Sequence, residues 1–227
     1  MTLWPSSHNY NPCQACTLVS FCQNPPSSSL HKTRTYQAGE VLVKANSALD
    51  HIKIIRQGAA KAQQFLATGK EQIIHFYLPG EPIGFDAIPN KMHPHAVCAL
   101  VETTTCELSL QHLLDFTCSS ATLQAKLLEV TQKFPSLSFN YYYSASIPAA
   151  QRLGSFFIHL ANRIKQCNIP YPYTLPMKQQ DIANFLGITA ETTSRLLALF
   201  QKEQLIKMIN KNISFIDVEA LKFKTVA

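Results

Sequence analysis

The sequence predicts an α+β chain with a jelly-roll-like β domain, a long pairing helix and a C-terminal winged helix-turn-helix. Three observations predict it. Between residues 33 and 110, short strand-like runs are punctuated at near-regular intervals by Gly39, Gly58, Gly69 and Gly80, the pattern of a sandwich of many short strands. From Ser120 onward, Leu127, Val130, Phe134, Leu137 and Tyr141 recur by three and four, which is an a/d seam. Residues 178–201 read as two short helices about a tight turn, and two more strand-like runs follow.

Residues 1–30 are rich in Pro, Ser and Asn and carry neither a helical nor a strand period. Within them Cys13, Cys16 and Cys22 are spaced C-x2-C-x5-C. Three thiols in one loop can converge on one centre, and soft thiolates select zinc, Cu(I) or iron–sulfur. Three ligands are one short of a closed site, so a distant fourth is required. Cys98, Cys118 and Cys167 read as buried small side chains. His75, His93 and His95 read as structural or surface residues. The start, MTLWPSSHNYNPC, has no basic n-region and no apolar h-region, and the chain contains no apolar run of about 18 residues. The expectation is a cytoplasmic chain with no membrane partner.

The strands expected in the β domain are 40–44, 51–57, 61–66, 71–78, 95–101 and 105–108. A helix with the seam described above tends to pair with its twin, which predicts a homodimer; packing on its own β domain is the other use of such a face. Pro135 kinks this helix at a b position, away from the seam. A further helix starts at Ser146-Ile147-Pro148, with proline tolerated in the first turn, and its buried face is Leu153, Phe156, Phe157, Leu160 and Ile164.

In the helix pair, Ile182, Ala183 and Leu186 form the apolar face of the first helix, and Gly187 can take the positive φ that ends it. Lys178, at the N-cap position, offers no capping oxygen. Thr189 caps the second helix, and Thr193, Leu196, Leu197 and Phe200 turn inward. Glu191, Ser194 and Arg195, at i, i+3 and i+4, share another face. An acceptor, a hydroxyl and a guanidinium are the groups that read base edges in a major groove. An ordinary helical hairpin has the same spacing, but strands at 205–209 and 213–216 add a wing, with Lys207 and Lys211 in reach of phosphates. Charge agrees. Residues 1–150 carry 10 Lys/Arg and 9 Asp/Glu, whereas residues 151–227 carry 10 and 5, so the basic excess lies in the C-terminal third.

The order of cysteine cluster, β domain, pairing helix and winged helix-turn-helix resembles the CRP/FNR family of bacterial transcription regulators, and within it the FNR-type oxygen sensors. The stretches that carry the resemblance are GFDAI at 84–88, ALVETTTCEL at 99–108 and FLGITAETTSRLLALFQ at 185–201. The resemblance implies that the β domain is an N-terminal β-roll, and that the parts fall at 1–118 (sensory), 119–146 (dimerisation helix) and 147–227 (DNA-binding). It implies that Cys13, Cys16 and Cys22, with Cys106 as the distant fourth ligand, hold an oxygen-labile [4Fe–4S] cluster. Glu191, Ser194 and Arg195 would read a TTGAT-like half-site of a palindrome in double-stranded DNA. The loop of residues 67–71 would touch RNA polymerase, with Lys70 where the oxygen sensor is acidic.

The family's cyclic-nucleotide branch needs a Gly-Glu pair and then an Arg. Gly80-Glu81 is present, but the following NKMHPHAV has no Arg, so no cyclic nucleotide is expected. Leu137 stands where the oxygen sensor has an acidic residue in its seam, so a constitutive dimer is one alternative to a cluster-gated one. A zinc site or a thiol/disulfide switch on the same four thiols is another. The chain offers no acid/base constellation, no phosphate-cradling Gly loop and no nucleophile motif, so a regulator is expected rather than an enzyme.

Overall fold

The computed structural model describes residues 13, 16, 18, 19, 31–66, 69–119, 121, 122, 124, 125, 127, 128, 147–166, 169, 175–209 and 212–221. They fall in two compact units, Asn11–Ser138 and one containing Phe139–Ala227.

The first unit holds two four-stranded antiparallel sheets. One runs β1 (His31–Tyr36), β8 (Thr103–Ser109), β3 (His51–Gln57), β6 (Pro82–Ile83). The other runs β2 (Val41–Val43), β7 (Ala96–Ala99), β4 (Ala60–Phe65), β5 (Glu71–Tyr77). Alternation along a strand sends successive side chains to opposite faces, and β3 uses both. Ile55 joins a core with Tyr36, Val43, Ala62, Ile74 and Val97, drawn from both sheets. Ile52 and Ile54 join a second cluster with Leu18, Leu49, Ala87, Leu108 and Leu113.

The turn after β3 depends on a residue without a Cβ. Gly58 has φ +89°, and a Cβ there would lie 2.4 Å from the Glu102 carbonyl oxygen. Beside it the fully buried Thr103 Oγ1 accepts from the Ala59 N–H at 3.2 Å. Where apolar burial ends, polar groups are paired: Lys53 Nζ meets Glu107 Oε1 at 2.5 Å, and the Tyr36 hydroxyl donates to the same oxygen at 3.0 Å. Burial and the neighbouring Glu107 push the Tyr36 phenol up to about 12.

Two elements differ from the expectation. Strand β1 lies ahead of 40–44, the first strand expected, and a helix, α1 (Leu110–Ser119), begins ten residues ahead of Ser120. Leu113 anchors α1 in the second cluster, and helical conformation recurs at the described positions 121–128. Of the pairing seam, Leu127 is partly buried against that same cluster of its own unit. Val130, Phe134, Leu137 and Tyr141 lie outside the described residues, as does Pro135.

The second unit contains α2 (Ala149–Gln166), α3 (Gln179–Leu186), α4 (Ala190–Lys202) and a hairpin of β9 (Ile206–Ile209) with β10 (Asn212–Ile216). The predicted α2 face, Leu153, Phe156, Phe157, Leu160 and Ile164, is buried, as are Ile182, Ala183 and Leu186 of α3 and Leu197 and Phe200 of α4. Phe156 bridges α2 and α3, with its ring 5.6 Å from that of Phe185. The hairpin is antiparallel, with a register shift between Ile213 and Phe215.

Candidate nucleic-acid interface and thiol centre

The turn between α3 and α4 sets where α4 points. Gly187 has φ 62°, in the left-handed region that glycine occupies at least cost. The Ile188 N–H donates back to the Ala183 carbonyl at 3.0 Å, closing the end of α3. The last carbonyl of α3, that of Leu186, has no partner within its helix. It accepts from Arg152 Nη1 at 2.6 Å. At the start of α3, Lys178 provides no side-chain cap, but Asp181 Oδ2 accepts from the Lys178 N–H at 3.1 Å. Half of a capping box therefore offsets the missing N-cap oxygen.

At the start of α4, Thr189 Oγ1 accepts from the Thr192 N–H at 3.1 Å, the expected N-cap. Thr193 is fully buried and donates its hydroxyl to the Thr189 carbonyl at 3.1 Å. These bonds lock the first turn of the helix on its inner side. Glu191, Ser194 and Arg195 all lie on the exposed side. Arg195 Nη2 pairs with Glu191 Oε1 at 2.6 Å, with the side chains 79% and 72% exposed. An ion pair this exposed contributes little to stability, so a ligand can replace it at small cost. On β9, Lys207 is exposed; Lys211 lies outside the described residues.

Thiols gather on the first unit. Cys13 is exposed and Cys16 half-buried; the Cys16 N–H donates to the Cys13 carbonyl at 3.3 Å. Two residues on, Leu18 is fully buried. Cys106 lies on β8, opposite Thr33 of β1 and Ile54 of β3. Both Cys16 and Cys106 pack against the cluster of Leu18, Leu49, Ile52, Ile54, Ala87, Leu108 and Leu113. Segments remote in sequence thus bring two of the four predicted thiols to one apolar patch. Cys22 lies outside the described residues. Among the described residues, no group of three or more His, Cys, Asp or Glu is arranged to hold a metal ion. Cys98 is buried, as expected, and burial pushes its thiol up; the side chains of Cys118 and Cys167 are not among those described.

Glu81 is buried, with Oε2 accepting from the Leu78 N–H at 2.8 Å. Its carboxylate is engaged by the backbone of its own turn. His93 is buried too, and burial holds its imidazole below the usual range. In the loop predicted to meet RNA polymerase, the Gly69 N–H donates to the Leu66 carbonyl at 2.8 Å and Lys70 is exposed. Ala67 and Thr68 lie outside the described residues.

Three residues of this architecture were not singled out by sequence reasoning. Leu18 follows the second cysteine by two and forms an aliphatic pair with Val19. Asp181, three residues after Lys178, is the recognisable N3 position of a capping box. Arg152 sits beside the apolar face of α2, where nothing in the spacing distinguishes it from a surface cation.

Comparison with known proteins accords with this geometry. The Crp-like helix-turn-helix domain family matches residues 151–223, and the cyclic nucleotide-binding domain family matches residues 33–119. The chain is 30% identical over 220 residues to the "Fumarate and nitrate reduction regulatory protein" of Yersinia pestis, covering 92% of this chain and 88% of that one. It is 30% identical to the "Anaerobic regulatory protein" of Haemophilus influenzae, covering 92% and 86%. Among solved structures, FixK2 from Bradyrhizobium japonicum superposes with a TM-score of 0.74 at 20% identity, covering 85% of this chain and 96% of that one. A CooA mutant from Carboxydothermus hydrogenoformans gives a TM-score of 0.67 at 16% identity, covering 92% and 95%. Two sheets with a thiol-bearing outer patch, a winged helix-turn-helix presenting Glu191, Ser194 and Arg195, and relatives matched over nearly their whole length place this chain in the CRP/FNR family of DNA-binding transcription regulators.

Proposed function

We propose that the chain is an oxygen-responsive member of that family. In this reading it acts as a homodimer and reads a TTGAT-like palindrome through Glu191, Ser194 and Arg195. Its grip is gated by a [4Fe–4S] cluster on Cys13, Cys16, Cys22 and Cys106. The observation that carries the reading is the common apolar seat of Cys16 and Cys106. Four thiolates are the donor set such a cluster takes, and an apolar surround limits solvent access to it. When bound, the cluster supplies iron–thiolate bonds that oxygen can attack.

The protein's own contribution is mechanical. Cys13, Cys16 and Cys22 would tie the N-terminal segment to Cys106 on β8, with Leu18 of that segment seated in the cluster that includes Leu113 of α1. Releasing the thiols would leave that seat to the apolar packing of Leu18 and Cys16 among the described residues. The helix that continues from α1 would pair with its twin, and each subunit would insert α4 into a major groove, with half-sites about 34–36 Å apart. Arg195 would donate two bonds to a guanine, and Glu191 would accept from a cytosine amino group. The loop of residues 67–71 would face RNA polymerase.

The test is DNA binding by the anaerobically purified protein, before and after exposure to air, on a TTGAT palindrome and on a scrambled duplex. Tight, selective binding that air abolishes supports the reading. Selective binding that air leaves unchanged removes the gating and leaves the DNA reader.

A further inference from the structure

We propose that Arg152 is a positioning residue for DNA reading: its buried guanidinium holds the Leu186 carbonyl and so fixes the turn from which α4 projects. This rests on α4 being the helix that meets DNA.

Four observations converge. Arg152 is only 9% exposed, an unusual state for a cation. Its side chain spans from the first turn of α2 to the last residue of α3, donating from Nη1 to Leu186 O at 2.6 Å. Its Nε is buried with no hydrogen-bond partner, so the Leu186 carbonyl is the one hydrogen bond recorded for this guanidinium among the described residues. The contact also falls at the negative end of the α3 dipole, where a cation is favoured.

A buried guanidinium is a costly way to satisfy one carbonyl, because burying a charge without a carboxylate partner is unfavourable. Packing alone would be served by an apolar side chain of similar length. What the guanidinium adds is direction. A charge-assisted bond fixes the Leu186 carbonyl, and with it the peptide plane that leads into Gly187 and Thr189. From Thr189 the N-cap bond to Thr192 and the Thr193 bond to the Thr189 carbonyl carry that orientation into α4. Base-edge contacts need the helix placed closely, whereas phosphate contacts tolerate error. Loss of the anchor should therefore reduce discrimination before it reduces non-specific affinity.

The experiment uses the full chain, purified anaerobically, with a duplex carrying a TTGAT palindrome and a scrambled duplex of equal length. Arg152→Met should bind the palindrome about tenfold or more weakly, the effect of leaving a buried carbonyl unsatisfied, and should keep its affinity for the scrambled duplex. Arg152→Lys, which retains a donor, should recover much of the discrimination. Equal loss on both duplexes, or no loss on either, overturns the proposal. Hydrogen exchange separates a local from a global effect: faster exchange confined to residues 187–192 in Arg152→Met, largely restored in Arg152→Lys, supports positioning. Uniform loosening of α2, α3 and β9 in Arg152→Lys overturns it, and that reading stands even if the methionine variant does not fold. If the unmodified chain shows no preference between the duplexes, the reading of α4 itself fails, and that result precedes any variant.

Discussion

Replacing Leu18 with Ala tests the seat that brings the N-terminal thiols to β8. Leu18 has no exposed surface and packs with Leu49, Ile52, Ile54, Leu108 and Leu113. Burying a leucine is worth about 1.5–3 kcal/mol. A cavity could raise the cost, but the substituted segment can lift away instead of leaving a void. The loss is therefore best expressed as a shift in a local docking equilibrium, by about 10- to 150-fold at 1.4 kcal/mol per tenfold. The assay is alkylation of the reduced, metal-free protein by iodoacetamide, read cysteine by cysteine by mass spectrometry. When opening is fast, modification tracks the open population. Cys16 and Cys106 should both react faster in Leu18→Ala, by up to that factor because each begins only half-buried. Cys98, buried in the other sheet, should not change. Unchanged rates at Cys16 and Cys106 would refute the claim that Leu18 holds the segment. An equal rise at Cys98 would show general destabilisation instead.

Other consequences follow from the second unit. Arg195→Ala should cost about 1–3 kcal/mol on the palindrome and much less on a scrambled duplex; competition binding measures the difference, and equal losses would count against direct base readout. His159 on α2 is held at about 4 by burial and by Arg163, below its ordinary 6.5. Between those values the unfolded chain binds the proton and the folded chain does not. Stability should therefore fall as pH drops from about 6.5 toward 4. Urea midpoints for the wild type and His159→Gln should converge at low pH, and a slope unchanged by the substitution would assign the effect to another group.

Much of the fold is written in local pattern, and the exceptions have physical causes. β3 was legible to its ends because Ile52, Ile54 and Ile55 serve two cores. The α2, α3 and α4 faces were legible because helical spacing and the Gly187 and Thr189 signals agree. β1 was not, because HKTRTY buries only Tyr36 among its described side chains and carries Lys32 and Arg34 on an edge strand, where charge blunts further pairing. The start of α1 was hidden because only Leu113 is buried in its first six residues. At the site, helical spacing sets Glu191, Ser194 and Arg195 on one face of α4, and all three are exposed; base reading needed the wing and the family resemblance beside that spacing. The common packing of Cys16 and Cys106 on one apolar cluster was not legible: spacing asks for a fourth ligand but does not say where it lies, and only the family resemblance pointed to β8. Arg152 was invisible because burial of an arginine is a tertiary fact, set by the Leu186 carbonyl it meets.

The central claim is that the thiols serve iron and sulfide. Elemental analysis of anaerobically purified protein for iron, zinc and acid-labile sulfide tests it directly, with Cys106→Ser alongside. The account predicts about four iron and four sulfide per chain, lost in Cys106→Ser. Stoichiometric zinc without sulfide, or metal content indifferent to Cys106, would contradict it.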